Sequence, residues 1–315
     1  MLQLLLSKLL QTVLVLLLVT LATTLLLNLT PGDPARVILG DQATEEQVQE
    51  IREQLGLDEP VLERYLSWLG DLAGGDFGRS TITRQPVGDA IMDRYAVTLE
   101  IAFLALVMAL VLAIPAGVYS AYRRGRAFDR SANVTGAVLI ASPAFMMGLF
   151  LAYLFGVKWQ LFPVSGWVPL SDGLAENLRH AFLPAFTLTL GLVAVFQRLV
   201  RADMQSILQE EYIAAANARG LSARYILFRH ALKPASFSLL TLAGLSLATL
   251  LGGAVIVEQL FGLPGLGTLL LGAIQTKDLA MVQGVVLFVA TVYVIVNALV
   301  DSLYAVLDPR VKERR

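Results

Sequence analysis

The sequence contains no cysteine and only two histidines among its 315 residues. Disulfide bonds, thiolate metal sites and clusters of cysteine and histidine ligands are therefore excluded. Methionine does not replace them, because the neighbours Met146 and Met147 point to different faces of a helix and the other methionines are scattered. Such methionines are typical of core packing, so the sequence predicts no metal site.

Charge is scarce as well, since only 16% of the residues are charged and 56% are hydrophobic. A water-soluble fold cannot bury so much apolar surface, whereas a bilayer accepts it directly. The formal net charge is −1, and no basic patch suited to nucleic acid is present. The composition predicts a membrane protein with several spans and no nucleic-acid partner.

Motifs for catalysis are also missing. No Gly-x-x-x-x-Gly-Lys-[Ser/Thr] stretch is present to hold nucleotide phosphates, and no Gly-x-Ser-Gly lies on an apolar span. Ser165 and His180 stand in a predicted outer loop without a second histidine to complete a dyad. We therefore predict no catalytic residues, no enzyme activity and no cofactor bound by this chain. If ATP drives transport, separate polypeptides hydrolyse it.

Ionisable residues within the apolar spans are few. Glu100 and Glu258 lie at predicted outer ends, His180 lies at a boundary, and Asp301 lies late in the last span. Pumps driven by protons or sodium bury several such groups near the membrane centre. The scarcity disfavours an ion-coupled secondary transporter, which stays open as the alternative function.

Six apolar stretches are long enough to cross about 30 Å of hydrocarbon, which takes roughly 20 helical residues. They cover residues 9–29, 97–122, 132–157, 181–200, 235–257 and 280–303. The first has no small-x-small cleavage site near its end, so we interpret it as an uncleaved anchor and not as a signal peptide.

Lysine and arginine concentrate in alternate loops, which predicts the orientation. The basic groups are Arg123, Arg124, Arg126 and Arg130, then Arg198, Arg201, Arg219, Arg224, Arg229 and Lys233, and at the end Arg310, Lys312, Arg314 and Arg315. Because cytoplasmic loops carry the excess of such residues, both termini are predicted to be cytoplasmic. The predicted organisation is an anchor helix at 1–29, an extracytoplasmic helical segment at 30–96, a transmembrane core at 97–306 with cytoplasmic helices at 208–234, and a cytoplasmic tail at 307–315.

The extracytoplasmic segment is predicted to fold. Thr44 and Gln47 form a capping box at the start of a helix that Gly56 ends, and a second amphipathic helix runs from near Asp58 to Gly74. We interpret the segment as a cap over the span ends, with contact to an external partner as the alternative.

A short polar helix is predicted on the cytoplasmic side, between two apolar spans. Glu211 complements the positive end of its dipole, and Gly220 follows as the C-cap. Its face of Tyr212, Ala215, Ala216 and Arg219 is nearly smooth, so a partner can approach closely. A second helix is predicted near Ser222, stopped or kinked by Pro234. The alternative is an ordinary surface helix whose basic residues reach toward lipid headgroups.

The stretch from Tyr212 to Leu221 reads Tyr-x-x-x-Ala-x-Ala-Arg-Gly-Leu. It resembles the coupling loop of the inner-membrane permeases of ATP-binding-cassette (ABC) importers, and the peptide and nickel branch is the closest match. The resemblance covers nearly the whole chain. Its other motifs are Pro31-Gly32-Asp33-Pro34, Leu55-Gly56-Leu57-Asp58, Gly75-Asp76-Phe77-Gly78, Thr98-Leu99-Glu100, Ser142-Pro143-Ala144-Phe145, Leu183-Pro184-Ala185, Glu258-Gln259-Leu260-Phe261, Pro264-Gly265-Leu266-Gly267, Val300-Asp301 and Asp308-Pro309-Arg310.

Two positions depart from the pattern of these permeases. Ala214 stands where many carry Glu or Arg, so an ion pair with the motor subunit is not expected there. Relatives place a proline near the position of Ser238, whereas this chain has Pro234. The second coupling helix is therefore expected to end at a different angle.

The resemblance implies an all-α polytopic membrane protein with six transmembrane helices, in a MetI-like ABC permease fold. It implies one half of a translocation pathway in the bacterial inner membrane, for peptides or a related small solute such as a nickel chelate. The implied partners are two ATP-binding subunits that carry ATP and Mg, a second homologous permease chain, an extracytoplasmic substrate-binding protein and membrane lipid. The implied ATPase-coupling residues are Tyr212, Ala215, Ala216, Arg219, Gly220 and Leu221, and the pathway candidates are Phe145 and Glu258.

Overall fold

The structure is a computed structural model that describes residues 2–40 and 42–307, with the side chains of residues 10–40, 42–53, 55–252 and 254–300. Within these ranges every regular element is a helix, and one isolated bridge joins Arg79 to Pro86. The all-α prediction is confirmed. The Asp308-Pro309-Arg310 motif, Lys312, Arg314, Arg315 and the side chain of Asp301 lie outside the described residues.

The helices follow one another along the chain with short connections. In order they are α1 (Leu2–Leu29), α2 (Pro34–Leu39), α3 (Glu45–Gln54), α4 (Val61–Ala73), α5 (Val87–Tyr122), α6 (Ala127–Ala141), α7 (Ala144–Leu151), α8 (Leu174–Ile207), α9 (Glu211–Ala218), α10 (Ala223–Tyr225), α11 (Leu232–Gly253), α12 (Val255–Phe261), α13 (Leu266–Gln275) and α14 (Leu279–Leu307). A π-helical segment at Ala152–Lys158 extends α7, a 3₁₀ turn lies at Leu170–Asp172, and a second π-helical segment, Ile226–Ala231, joins α10 to α11.

Among the residues that the structure describes, five helical stretches are long and apolar enough to cross a membrane: Leu10–Leu29, Val87–Tyr122, Leu174–Ile207, Ala223–Gly252 and Leu279–Val300. Two bent helix pairs raise the number to as many as seven if each pair is one span. The predicted six spans lie within this range.

The predicted span at 132–157 is not one straight helix. Ala127–Ala141 and Ala144–Lys158 meet at an angle of 105°. Ser142 is extended, with ψ 126°, because the ring of Pro143 disfavours the helical conformation of the residue before it. The Ser-Pro motif therefore divides this span.

The chain forms two compact units, and the first contains residues Met1–Thr98 and Pro264–Val294. Its apolar core includes Val87, Ile91, Leu266, Val282 and Val285. Polar bonds add to this core at two places along α1. The hydroxyls of Tyr65 and Thr20 are 2.9 Å apart, and the Gln283 amide donates to Thr24 Oγ1 at 2.7 Å. These bonds fix α4 and α14 against the first helix.

The segment at 30–96 has the predicted caps. The side chain of Thr44 accepts the Gln47 backbone N–H while the Gln47 side chain accepts that of Thr44, so the capping box is confirmed. Gly56 has φ +61° and follows the end of α3. The next helix begins at Val61, later than predicted, because the ring of Pro60 disfavours the helical conformation of Glu59 before it, and Pro60 itself is the N-cap with ψ 136°.

The second unit contains residues Leu99–Leu263 and Ile295–Arg315. Helix α8 packs against α6, α7 and α11, and its buried residues Phe196, Val200 and Met204 lie in the main core. Gly117 of α5 is so close to α8 that a Cβ added there would lie 2.7 Å from the Cβ of Val200. This core supports the short helices at 211–231 that are described next.

Candidate coupling site

Helix α9 has well-defined ends. Glu210 is extended at its N-terminus, with φ −70° and ψ 148°. At the C-terminus the backbone N–H of Gly220 donates to Asn217 at 3.0 Å, and that of Leu221 donates to Ala216 at 3.3 Å. With Gly220 at φ +75°, these two bonds form the Schellman motif, which satisfies carbonyl groups that the helix end leaves free. Gly220 therefore has a clear local role.

The two faces of α9 have different environments. Ile213 and Ala216 are 2% and 7% exposed and belong to the core that contains Met204 and Ile226. Tyr212 is 47% exposed, and Ala215 and Arg219 are exposed as well. The predicted smooth face is therefore divided, because Ala216 points inward. Its small side chain lets α9 pack closely against the core, and it presents no surface to a partner.

The chain after α9 continues as a second helix. Ser222 caps α10 by accepting the Tyr225 backbone N–H at 3.4 Å. The π-helical segment buries Ile226, Leu227 and Ala231. Tyr225 and Phe228 are 48% and 56% exposed. Together with α9, this segment leaves a group of exposed side chains that we call the coupling surface: Tyr212, Ala215, Arg219, Leu221, Tyr225 and Phe228.

Pro234 does not stop this helix, because Ala223–Gly252 is one helical stretch, and a kink at Pro234 stays a prediction. It lies in the first turn of α11, where Leu232 begins the regular α-helix and Gly253 ends it. Proline is tolerated in a first turn because the N–H that it lacks is not required by the α-helical ladder there. The preceding π-helical segment adjusts the backbone so that the helix continues past the proline.

A buried ion pair lies near the C-terminal end of α8 and was not predicted. Asp129 of α6 is 2% exposed and accepts two guanidinium N–H groups of Arg201, with the Nη2 bond at 3.0 Å. It also accepts the Gly125 backbone N–H at 2.8 Å and the Asn133 amide at 3.0 Å. Such a fully bonded bidentate pair fixes geometry strongly. It joins α6 to α8, whose last residue lies four positions before α9.

The two pathway candidates lie in different environments. Phe145, at the start of α7, is 44% exposed. Glu258 of α12 is 0% exposed, and Gly148 allows α7 to pack tightly near it, since an added Cβ there would lie 2.5 Å from a methyl group of Leu260. Glu258 is thus enclosed by this chain's own residues, and its pathway role stays a prediction. A pathway role for Phe145 stays a prediction.

Two sequence models of one protein family match the chain along its length. The family described as "Binding-protein-dependent transport system inner membrane component" matches residues 113–313, and its N-terminal counterpart matches residues 1–102. The chain belongs to this family. A probable peptide ABC transporter permease of Sinorhizobium fredii is 36% identical over 98% of both chains. A putative peptide transport system permease of Brucella abortus is 40% identical over 98% of both chains.

The permease also resembles a transport protein of Escherichia coli. The glutathione transport system permease protein GsiC of strain K12 is 34% identical over 91% of the permease and 92% of GsiC. Among solved structures, the inward-facing MetNI methionine ABC transporter matches with a TM-score of 0.56 and 16% identity, covering 69% of the permease and 96% of that chain. The MetI-like fold is confirmed. The permease is a subunit of an ABC importer and a multi-pass protein of the bacterial inner membrane.

Proposed function

We propose that the permease imports peptides or peptide-like solutes delivered by an extracytoplasmic binding protein. Support comes from its relatives, two of which are named as peptide permeases and one as a glutathione permease. All of them match more than nine-tenths of the chain. A nickel chelate, the other solute that the sequence suggests, finds no support in these names.

The energy for import is supplied by two ATP-binding subunits that bind ATP and Mg and dock on the coupling surface. The observation that carries this assignment is the division of α9 into a buried and an exposed face. Ile213 and Ala216 fix the helix to the core, while Tyr212, Leu221, Tyr225 and Phe228 are each at least 37% exposed. Exposed apolar side chains grouped on a helical surface are typical of a protein interface.

The proposed motion passes from α9 into the transmembrane core. ATP binding closes the motor pair and moves α9 through the coupling surface, and the core follows because the inner face of α9 is packed against Met204 and Ile226. The Asp129–Arg201 ion pair transmits the motion to α6 as well as α8. A second homologous permease supplies the other half of the pathway, which then alternates between inward-facing and outward-facing states.

Substituting Gly220 tests this coupling. A Cβ at this position meets no atom within 4 Å, so only the backbone angle of φ +75° opposes a side chain. Valine is strongly disfavoured at this angle, and asparagine tolerates it. We expect Gly220→Val to reduce uptake of a radiolabelled dipeptide at least tenfold and Gly220→Asn to keep most of it.

Both variants should be present in the membrane at wild-type amounts, as measured by immunoblotting. Loss of uptake should coincide with loss of the ATPase subunits from the purified complex. Normal uptake by Gly220→Val would contradict the proposed coupling site. Uptake in proteoliposomes that depends on a proton gradient and does not require ATP would favour the ion-coupled alternative.

A further inference from the structure

A groove of about 270 Å³ lies among α5, α6 and α8 of the second unit, and we call it the α6 groove. Small and apolar residues form most of its wall, and they include Ala116 of α5, Ala132, Gly136 and Leu139 of α6, and Val193 and Ala194 of α8. The volume is just below the range of about 300–1,000 Å³ that small-molecule sites have. The groove therefore suits one narrow apolar chain.

The groove lies on the surface of apolar spans. Helices α5 and α8 each contain a candidate span, and α6 forms part of a divided one. Beside the groove, Val134 and Val138 of α6 are exposed, and Thr135 in its wall is exposed as well. Exposed apolar side chains on a membrane span meet either lipid tails or a helix of another protein.

Exposed aromatic residues mark one end of the groove. Tyr119 and Tyr122 in the last turns of α5 and Phe128 at the start of α6 are all exposed. The rings of Tyr119 and Phe128 are 4.8 Å apart in an edge-on contact, and Phe128 also lines the groove. Tyrosine is enriched at the membrane–water interface because its ring is apolar and its hydroxyl is polar. This end of the groove therefore lies at the depth of the lipid headgroups.

Positive charge lies at the same end. Arg198 follows Ala194 by four positions, so it lies one helical turn beyond the groove on the same face of α8. Arg198 is exposed, and no carboxylate of a described residue forms an ion pair with it within 4 Å. The same holds for three exposed arginines around the start of α6, which are Arg124, Arg126 and Arg130.

The start of α6 and the basic part of α8 are held together. Asp129 accepts two N–H groups of Arg201, with the Nη2 bond at 3.0 Å, so these two charges neutralise each other. The bond places the positive end of the α6 dipole near Arg198, which precedes Arg201 by three positions. Asp203 lies about 140° around α8 from Arg198, since each residue turns the helix by about 100°. This end of the groove therefore has net positive charge.

A buried amide lies in the wall near this end. Gln197 lines the groove and is 4% exposed, and one of its N–H groups donates to Ser120 Oγ at 3.2 Å. Its carbonyl oxygen accepts no hydrogen bond from a described residue, yet it is not among the enclosed polar atoms of the chain. The second N–H also has no acceptor among the described residues. The ester and glycerol groups of a phospholipid offer partners to both atoms.

We propose that the α6 groove binds one anionic phospholipid. An acyl chain lies between α6 and α8, the ester region lies beside Gln197, and the phosphate lies at Arg198 and the N-terminal end of α6. A zwitterionic phospholipid has the same phosphate, but its ammonium group would be repelled by the same arginines. A helix of another protein in the groove would leave Arg198 without a counterion. The site is separate from the coupling surface and does not depend on which solute is transported.

The test is photo-crosslinking of the permease, assembled with its partner subunits, in phosphatidylcholine nanodiscs. One sample contains a small fraction of phosphatidylglycerol with a photoreactive diazirine on one acyl chain, and the other contains phosphatidylcholine with the same chain. Mass spectrometry of the peptides locates the labelled residues. We expect the phosphatidylglycerol probe to label the groove residues of α6 and α8 at least tenfold more than the phosphatidylcholine probe.

Two variants separate the headgroup from the chain. Arg198→Gln should reduce labelling of the groove by phosphatidylglycerol about fivefold, the usual contribution of one basic residue near an anionic lipid surface. Ala132→Leu places a larger side chain in the groove and should reduce labelling there by at least as much. Arg179→Gln is the matched control, because it makes the same change at the other end of α8 and should leave labelling of the groove unchanged.

Thermal unfolding of each variant in detergent checks that it is folded, and the comparison of the two probes on the unaltered protein needs no variant. Equal labelling by both probes would show ordinary contact with bulk lipid and would overturn the proposal. Absence of label from the groove would show that another protein surface covers it and would also overturn the proposal, as would unchanged labelling in Arg198→Gln. Because no outcome involves uptake, failure here is distinct from failure of the proposed transport function.

Discussion

Single residues near the start of α6 and the end of α8 have roles that their own sequence neighbourhoods do not reveal. Arg201 and Arg130 both count toward the positive-inside bias, yet Arg201 is bonded to Asp129 across 72 positions of sequence. The only available signal was a lone acid within a basic turn. A pairing between distant helices depends on tertiary packing, which local pattern does not encode.

Removing one partner of this pair should destabilise the permease. Asp129→Asn leaves the partly buried guanidinium of Arg201 without its counterion, which we expect to cost about 2–3 kcal/mol. Thermal unfolding in detergent, followed by intrinsic tryptophan fluorescence, measures the effect. Arg201→Gln should cost a similar amount, and the double variant should cost less than the sum of the two.

Arg198→Gln serves as the control for this ion pair. Arg198 lies on the same helix, is exposed and forms no ion pair within 4 Å among the described residues, so its loss should change the free energy of unfolding by less than about 0.5 kcal/mol. An unaltered unfolding temperature in Asp129→Asn would show that the pair contributes nothing to stability.

Local motifs predicted the ends of helices more accurately than they predicted contacts between helices. The Thr44 capping box and the Gly220 C-cap are present as expected, because both are completed within a few residues. Ala216 was assigned to the exposed face of α9 by spacing alone, and spacing does not decide which of two small-residue faces meets the core. Glu258 shows the same limit, since a position near a predicted span end is fully buried.

At the level of helices, close packing of α5 on α8 depends on Gly117. An added Cβ would lie 2.7 Å from Val200 Cβ and 3.0 Å from the Gln197 carbonyl oxygen, neither of which moves freely. Gly117→Ala should therefore force the helices apart and cost about 1–3 kcal/mol.

Gly191 provides a comparison on α8 itself. A Cβ there meets no atom within 4 Å, so Gly191→Ala should be neutral or stabilise the protein by up to about 1 kcal/mol through helix propensity. Unfolding temperatures of the two variants should therefore shift in different directions or by clearly different amounts. Equal shifts would mean that α5 and α8 are not in such close contact.

The number and the course of the spans were predicted with different success. Hydropathy located the five unbroken spans and the divided one at 127–158, because the cost of burying polar groups in lipid is large and local. It did not predict a span at 255–275, where a second bent helix pair passes the same test. It did not reveal the 105° bend at Ser142-Pro143. Nor did it reveal that helix continues through Pro234, because a proline in a first turn and one in a helix interior look alike in sequence.

For the whole molecule, the orientation predicted from lysine and arginine is open to a direct test. The chain has no cysteine, so one introduced thiol is the only site that a maleimide can label. Glu46→Cys in the predicted extracytoplasmic segment should react with a membrane-impermeant maleimide in cells whose outer membrane is permeabilised and whose inner membrane is intact. Asn217→Cys on α9 should react only after the inner membrane is opened. The reverse labelling pattern would show that the topology is opposite to the predicted one.

The π-helical segment between α10 and α11 sets the rotational phase of the helix that follows it. Each residue of an α-helix turns the chain by about 100°, so deleting one residue from 226–231 would rotate all of α11 relative to the cytoplasmic end. Ala235, Leu239 and Ala243 would then turn out of the core while Tyr225 kept its place. The extra residue in the π-helical segment therefore lets the residues before it and the residues after it keep different orientations within one continuous helix.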